Sequence, residues 1–66
     1  MSNYYYVLEV IENYDDEEII DDFKSKFKEG ENISEDEFKM FCKNYIDDMS
    51  EMNEINKNWN YIKNNN

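Results

Sequence analysis

Carboxylates are the side chains of this sequence that could do chemistry, because they are numerous and closely spaced. Residues 9–22 contain eight of them and no lysine: Glu9, Glu12, Asp15, Asp16, Glu17, Glu18, Asp21 and Asp22. Side chains three or four positions apart on a helix lie about 5–6 Å from one another, so these carboxylates would form a ridge of negative charge. Such a ridge can imitate successive phosphates and occupy a basic groove that otherwise binds nucleic acid. We predict that it binds a basic partner through Asp15, Asp16, Glu17, Asp21 and Asp22.

A second acidic cluster lies in the C-terminal half of the sequence, again without lysine. It is predicted to support binding of the same partner and consists of Asp47, Asp48, Glu51 and Glu54. Two other interpretations of the carboxylates remain open. They could form a solvated surface, with acids in first helical turns stabilising the helix dipole and Asp22 pairing with Lys26. They could also bind cations.

Catalysis is not expected from these residues. The sequence has no His and no Arg, so the usual general acid/base, the usual zinc ligand and the bidentate phosphate clamp are missing. Cys42 has no histidine to activate it as a nucleophile, and a buried cysteine behaves as a small apolar side chain. A chain of 66 residues also has little room for a substrate pocket of several hundred Å³. We therefore predict no enzyme, no cofactor and no metal site.

One segment has the helix–loop–helix rhythm of an EF-hand, with Gly30 in the loop and Glu37 at the position of the last ligand. Lys26 and Lys28 then occupy the positions of the first two carboxylate ligands, and Glu31 replaces the glycine of the sharp turn. Lysines at ligand positions would repel a cation. The segment is therefore interpreted as an ordinary helical hairpin.

Aromatic residues make up 17% of the sequence, more than so small a core can bury. Tyrosine and tryptophan are enriched among the residues that dominate binding energy at protein interfaces. Tyr5 and Tyr61 fall outside the main apolar stripes, so we predict that they are exposed and contact the partner beside the carboxylates. Trp59 is expected in the core.

The first acidic ridge must be positioned by a helix, predicted over residues 15–29. Asp15 and Glu18 have the spacing of a capping box, in which the first residue caps the helix and the second returns a hydrogen bond. Four apolar side chains then recur at helical spacing: Ile19, Ile20, Phe23 and Phe27. Lysines follow in the last turns, and Gly30 is a typical C-terminal stop.

A second helix is predicted after a short hinge. Ser34 and Glu37 form another capping-box pair, and an apolar seam runs from Phe38 to Ile62 at spacings of three and four, apart from one skipped step at Asp48. The seam favours a single long or kinked helix over residues 34–63. The alternative is a break near Ser50, after which the chain folds back. Residues 64–66 are expected to fray.

The N-terminal segment, residues 1–13, is compatible with two structures. The Tyr and Val residues between positions 4 and 11 favour a β-strand, whereas Tyr4, Val7, Leu8 and Ile11 have helical spacing. We favour a strand, which would pair with another copy of the chain or with a partner's sheet edge. The predicted fold is one mainly α domain over residues 1–66: a helical hairpin with a long C-terminal helix and a single N-terminal β-strand.

The overall charge limits the classes of partner. With 17 Asp and Glu against 7 Lys the formal net charge is −10, so the chain is not expected to bind nucleic acid directly. No apolar run is long enough to cross a membrane, and no secretion leader is recognisable. A single cysteine cannot form an internal disulfide, which fits a reducing compartment such as the cytoplasm.

In size, charge and helical carboxylate ridges, the chain resembles the small acidic anti-defence proteins of phages, which include anti-CRISPR proteins and other DNA mimics. The resemblance extends over the whole chain and implies an inhibitor that acts in the host cytoplasm. Such an inhibitor would occupy the guide-RNA, target-DNA or DNA-binding groove of a nuclease or CRISPR effector, as a monomer or a homodimer. Two alternatives stay open. One is a self-assembling helical structural protein that dimerises through the Phe38–Ile62 seam, and the other is an antitoxin or immunity protein that neutralises a basic toxin.

Overall fold

The computed structural model describes residues 2–45 and 49–65, the first three residues of the second range by their backbone alone. These ranges contain four helices and no β-strand: α1 over Tyr4–Glu12, α2 over Glu17–Lys26, α3 over Glu35–Lys43 and α4 over Met49–Asn65. Helix α1 packs against α2 and α4, and α3 packs against α4. The prediction of a mainly α fold is therefore confirmed.

The N-terminal segment forms helix α1, so the prediction of a β-strand over residues 4–11 is wrong. The helix buries Tyr4, Val7, Val10 and Ile11 on one face. Strand propensity depends on a neighbouring strand to pack beside, and the described residues supply none. The helical spacing of the apolar side chains therefore decides the structure.

The N-cap of helix α2 lies one residue later than predicted. Asp16, not Asp15, is the N-cap, and its Oδ1 accepts a hydrogen bond from the backbone N of Glu18 at 3.0 Å. Asp15 belongs to the turn after α1: its N–H donates to Glu12 O at 3.0 Å, and its φ of 54° is left-handed. The helix ends at Lys26, before the predicted residue 29, because Phe27 adopts an extended backbone. Gly30 supplies the left-handed turn that follows, with a φ of 90°.

Helix α3 begins at the predicted capping box, which is confirmed. Ser34 Oγ accepts from the backbone N of Glu37, and Glu37 Oε1 accepts from the backbone N of Ser34, both at 3.2 Å. The helix ends at Lys43, where two backbone hydrogen bonds join residues three apart: Asn44 N donates to Phe41 O at 3.2 Å, and Tyr45 N donates to Cys42 O at 3.0 Å.

The favoured long helix over residues 34–63 is wrong, because the seam is divided between α3 and α4. The two helices pack against each other, and the ring centroids of Phe38 and Trp59 lie 5.5 Å apart. Folding back lets one chain bury both halves of the seam, which a single straight helix would leave exposed. The structure agrees with the alternative, in which the helix breaks and the chain folds back: α3 ends at Lys43, and α4 begins at Met49, next to Ser50. Helix α4 continues to Asn65, whose Nδ2 donates to Tyr61 O at 2.7 Å. Fraying of residues 64–66 stays a prediction, and Asn66 lies outside the described residues.

The apolar side chains of all four helices meet in one core. Phe23 of α2 lies near its centre, with ring centroids 5.4 Å from Tyr4, 5.1 Å from Phe27 and 5.7 Å from Phe41. Phe23 is the only fully buried residue within α2. Phe23 therefore anchors this helix together with the partly buried Ile19 and Ile20, and its other side chains are polar.

Candidate functional site

Negative charge is concentrated in the first third of the chain. Residues 1–23 carry eight carboxylates and no lysine, whereas residues 24–66 carry nine carboxylates and seven lysines. Five of the eight are exposed around the start of α2, and we call these five the acidic surface: Asp15, Asp16, Glu17, Glu18 and Asp21. The acidic surface therefore includes four of the five residues in the first acidic ridge that were predicted to bind a basic partner.

The charge of the acidic surface is not neutralised within the described residues. Ion pairs there join Lys26 to Asp22 at 3.3 Å and Lys39 to Glu35 at 2.6 Å, and neither involves the acidic surface. The lysines of α2 lie in its last turns, where they stabilise the carbonyl end of the helix dipole. The acidic surface thus presents unpaired negative charge to solvent.

Asp22 is the fifth residue of that predicted set, and it does not belong to the acidic surface. It is half-buried, and its Oδ2 accepts a hydrogen bond from the Tyr45 hydroxyl and pairs with Lys26. These interactions, that of Tyr45 foremost, hold the pKa of the Asp22 carboxyl below its usual value although partial burial acts in the opposite direction. Asp22 therefore links α2 to the end of α3, and its carboxylate is already engaged within the chain.

The second acidic cluster is described only in part. Asp47 and Asp48 lie outside the described residues, as does the side chain of Glu51. Glu54 is exposed on α4. Its role in binding stays a prediction.

Tyr5 and Tyr61 are exposed, with 60% and 42% of their surface accessible, so the prediction that they lie outside the buried stripes is confirmed. Both hydroxyls donate to carboxylates: Tyr5 to Glu29, and Tyr61 to Glu9 Oε2 at 3.1 Å. These hydrogen bonds are the main reason that the pKa of each tyrosine is raised. Each ring is therefore held at the surface by its hydroxyl. Trp59 is partly buried and packs against the core.

Met40 is an exposed apolar residue that the sequence analysis did not select. Its exposed fraction is 69%, and it lies beside a shallow groove lined also by Lys26, Phe27 and Phe41. Its exposure could have been predicted from the sequence, because Met40 falls between Phe38 and Phe41 and so lies off the buried face of α3.

A cavity of about 150 Å³ is the other feature that the sequence did not reveal. It is lined by Ile11, Tyr14, Asp16, Ile19, Phe41, Cys42 and Tyr45. Asp16 therefore belongs both to the acidic surface and to this cavity. The residues come from α1, α2 and the end of α3, so no local spacing could have placed them together.

Cys42 contributes a neutral wall to the cavity. It is buried, and burial raises the pKa of its thiol to about 12. A thiol with this pKa is protonated near neutral pH and is a poor nucleophile. Its chemistry here is that of an apolar side chain.

Metal-ligating side chains do not gather anywhere in the described parts of the chain: no three Cys, Asp or Glu residues are grouped closely enough to hold an ion. Glu37, which would be the last ligand of an EF-hand-like loop, instead accepts the hydrogen bond from Ser34. Within residues 2–45 and 49–65, no helix has the length and apolar character needed to cross a bilayer.

Comparisons of this chain with protein-family models, with curated proteins and with solved structures find no match.

Proposed function

We propose that this chain is a small acidic binding protein that inhibits a basic nucleic-acid-binding protein by occupying its DNA or RNA site. The observation that carries the proposal is the acidic surface, whose five carboxylates are exposed and unpaired by lysine within the described residues. A nuclease or a CRISPR effector in the host cytoplasm is the kind of partner we propose, as for the anti-defence proteins that the chain resembles.

The structure supports this proposal because the carboxylates lie on a helix that is anchored in the core. Phe23 anchors α2 in the core, and Glu17 and Asp21 lie one helical turn apart on its exposed side. Their spacing of about 5–6 Å is therefore set by the helix rather than by flexible loops. A preorganised array of charge loses little conformational freedom on binding, and it attracts a basic partner over the Debye length.

The outer face of α1 extends the same surface. Tyr5, Glu9 and Glu12 are exposed at spacings of four and three, and Tyr61 reaches Glu9 from α4. The backbone oxygen of Glu12 accepts from Asp15 N, so the end of α1 adjoins the first residue of the acidic surface. Tyrosine rings beside carboxylates would add apolar anchoring to electrostatic attraction.

The buried seam weighs against self-assembly as the primary function. Phe38, Phe41, Ile55 and Ile62 are all at most 4% exposed within a single chain. Their apolar surface is already used by the core, so a second copy could reach it only if the chain opened. An antitoxin role needs the same acidic surface and differs only in the partner.

The test compares two double variants that change the net charge equally. Glu17→Gln/Asp21→Asn removes two charges from the acidic surface, whereas Glu31→Gln/Asp36→Asn removes two elsewhere. Glu31 accepts from Lys28 N at 3.3 Å, and glutamine keeps that acceptor. Circular dichroism of each variant establishes that helicity is retained.

Binding is then measured against the partner. The immobilised chain captures protein from host lysate at low salt, and the captured protein is purified and tested for DNA and RNA binding with and without the chain. We expect competition for one site. The acidic-surface variant should bind about two- to thirtyfold more weakly, since each exposed ion pair contributes about 0.2–1 kcal/mol, while the control variant should bind like the original chain.

Four outcomes would contradict the proposal. Equal weakening by both double variants would mean that binding depends on the net charge of the chain and not on the acidic surface. A partner that binds nucleic acid and the chain at the same time would exclude occlusion, and a captured toxin without nucleic-acid competition would favour the antitoxin. Recovery of the chain alone at every salt concentration would favour the self-assembling protein.

A further inference from the structure

The cavity of about 150 Å³ opens between α1, α2 and the end of α3, beside the acidic surface. We propose that it receives an arginine side chain of the basic partner, with the guanidinium group against the Asp16 carboxylate. This inference rests on the proposed function and adds the identity of the side chain that the partner inserts. It concerns a site distinct from the exposed ridge of Glu17 and Asp21, neither of which lines the cavity.

The volume of the cavity fits one side chain. Drug-sized ligands occupy pockets of roughly 300–1,000 Å³, whereas a cavity of about 150 Å³ accommodates a ligand the size of benzene. Ile11, Phe41 and Cys42 are buried and provide apolar walls. Arginine buries its methylene stem against such walls while its charged head group stays in polar surroundings.

The polar side of the cavity is negative. Asp16 uses Oδ1 to accept from Glu18 N, and an ionised carboxylate offers about four acceptor positions, so capacity remains for a guanidinium donor. Tyr45, on the same lining, donates to Asp22. That hydrogen bond, together with burial and the nearby carboxylate charges, raises the pKa of Tyr45 to about 12. The negative field of the carboxylates therefore extends to the cavity wall.

Aromatic side chains on the lining favour arginine over lysine. Tyr14, Phe41 and Tyr45 contribute three rings. A guanidinium group is planar, stacks on aromatic faces and donates two parallel hydrogen bonds to a carboxylate, whereas an ammonium group is a compact and strongly hydrated charge. Arginine is also enriched where proteins recognise phosphate, so a nucleic-acid site would offer such a side chain to its inhibitor.

The test uses n-propylguanidinium, which reproduces the arginine side chain without any partner protein. It is titrated into the nitrogen-15-labelled chain at constant ionic strength, and amide chemical shifts are recorded. Saturable shifts centred on Ile11, Ile19 and Cys42 are expected. Neutral n-propylurea should bind about two- to fivefold more weakly, because it lacks the charge that pairs with Asp16. Binding of n-propylammonium as tight as that of n-propylguanidinium would overturn the assignment to arginine.

Two matched variants locate the bound probe. Asp16→Asn removes the charge at the cavity and keeps a good N-cap, while Asp36→Asn removes an exposed charge from the first turn of α3, outside the cavity lining and outside the acidic surface. The first should weaken n-propylguanidinium binding about two- to fivefold, in line with an exposed ion pair, and the second should leave it unchanged. Equal weakening, or shifts that stay linear with concentration, would overturn the cavity site.

This experiment separates the cavity from the proposed function. A chain that captures no basic partner but binds the probe saturably would keep the guanidinium site and lose the inhibitor role. A chain that competes with nucleic acid but gives no saturable shifts would keep the inhibitor role and lose the cavity site.

Discussion

Replacement of Asn3 by alanine is expected to remove much of the stability of this fold. Asn3 is 3% exposed, and its amide makes two hydrogen bonds to the backbone of Ile33: Nδ2 donates to Ile33 O at 2.8 Å, and Oδ1 accepts from Ile33 N at 2.7 Å. The pair ties the start of α1 to the segment before α3 across thirty residues of sequence. Alanine would leave both backbone groups of Ile33 buried without a partner.

The expected loss follows from those two bonds. A buried group left unsatisfied costs about 1–3 kcal/mol, so two such groups predict a decrease in unfolding free energy of about 2–6 kcal/mol for Asn3→Ala. A core of this size rarely supplies more than about 3–5 kcal/mol in total. We therefore expect the Asn3→Ala chain to be largely unfolded at room temperature, measured by urea denaturation with circular dichroism.

Ser2→Ala is the matched control for this prediction. Ser2 Oγ donates to Glu31 O at 2.9 Å, in the same region but exposed to water. Ser2 Oγ also accepts from Tyr4 N at 3.2 Å, so its replacement should cost about 0.5–1.5 kcal/mol, the net contribution of a typical hydrogen bond. A loss for Asn3→Ala no larger than that for Ser2→Ala would refute the reasoning, because it would mean that the Ile33 backbone finds other partners.

Asn3→Asp tests the same contact, because the stability of this variant should depend on pH. A protonated aspartic acid can still donate to Ile33 O and accept from Ile33 N, whereas burial opposes the charged form and raises its pKa in the folded chain. Stability relative to the original chain should therefore be highest below the unfolded pKa of about 3.9 and fall as pH rises through the folded pKa. A pH-independent difference between the two chains would contradict this account.

Three further outcomes are expected from particular residues. The pKa of Asp22 is lowered by Tyr45 and Lys26, so its contribution to stability is present above the unfolded pKa of about 3.9 and disappears as pH falls through the folded pKa. Asp22→Asn should therefore flatten the acid side of the pH–stability profile measured by urea denaturation. An unchanged profile would contradict this role of Asp22. Cys42, with a buried thiol and a pKa of about 12, should react with a disulfide reagent at pH 8 far more slowly in the folded chain than in urea, and equal rates would mean that the site is open. Ser34→Ala removes one half of the capping box and should lower the unfolding free energy by about 0.5–2 kcal/mol, whereas Ser34→Asp should restore most of it.

Local features of the fold could be predicted from the sequence because their physical causes are local. Ser34 and Glu37 cap α3 as predicted, since the capping box depends only on residues three apart. Asp15 and Asp16 show the limit of this reasoning. Either side chain could cap α2, and the tight turn after α1 decides between them by placing Asp15 in a left-handed conformation.

The remaining differences arise from packing between distant segments. The Phe38–Ile62 seam fits one long helix as well as two helices that fold back, and only the shared core distinguishes them. The exposed carboxylates of α2 could be located from sequence, but the inward position of Asp22 depends on Tyr45, twenty-three residues away. The cavity needs three helices and therefore had no sequence signal of its own.

The packing of α4 on α1 has a consequence for synthesis of the chain. Val7 and Ile11 are fully buried, and α4 supplies Ile55 and Ile62 to the same core. While a ribosome has released only the first three helices, the apolar face of α1 is incompletely covered and is open to chaperones and proteases. A message truncated before Ile55 would therefore yield a fragment prone to degradation, although that fragment would contain the whole acidic surface.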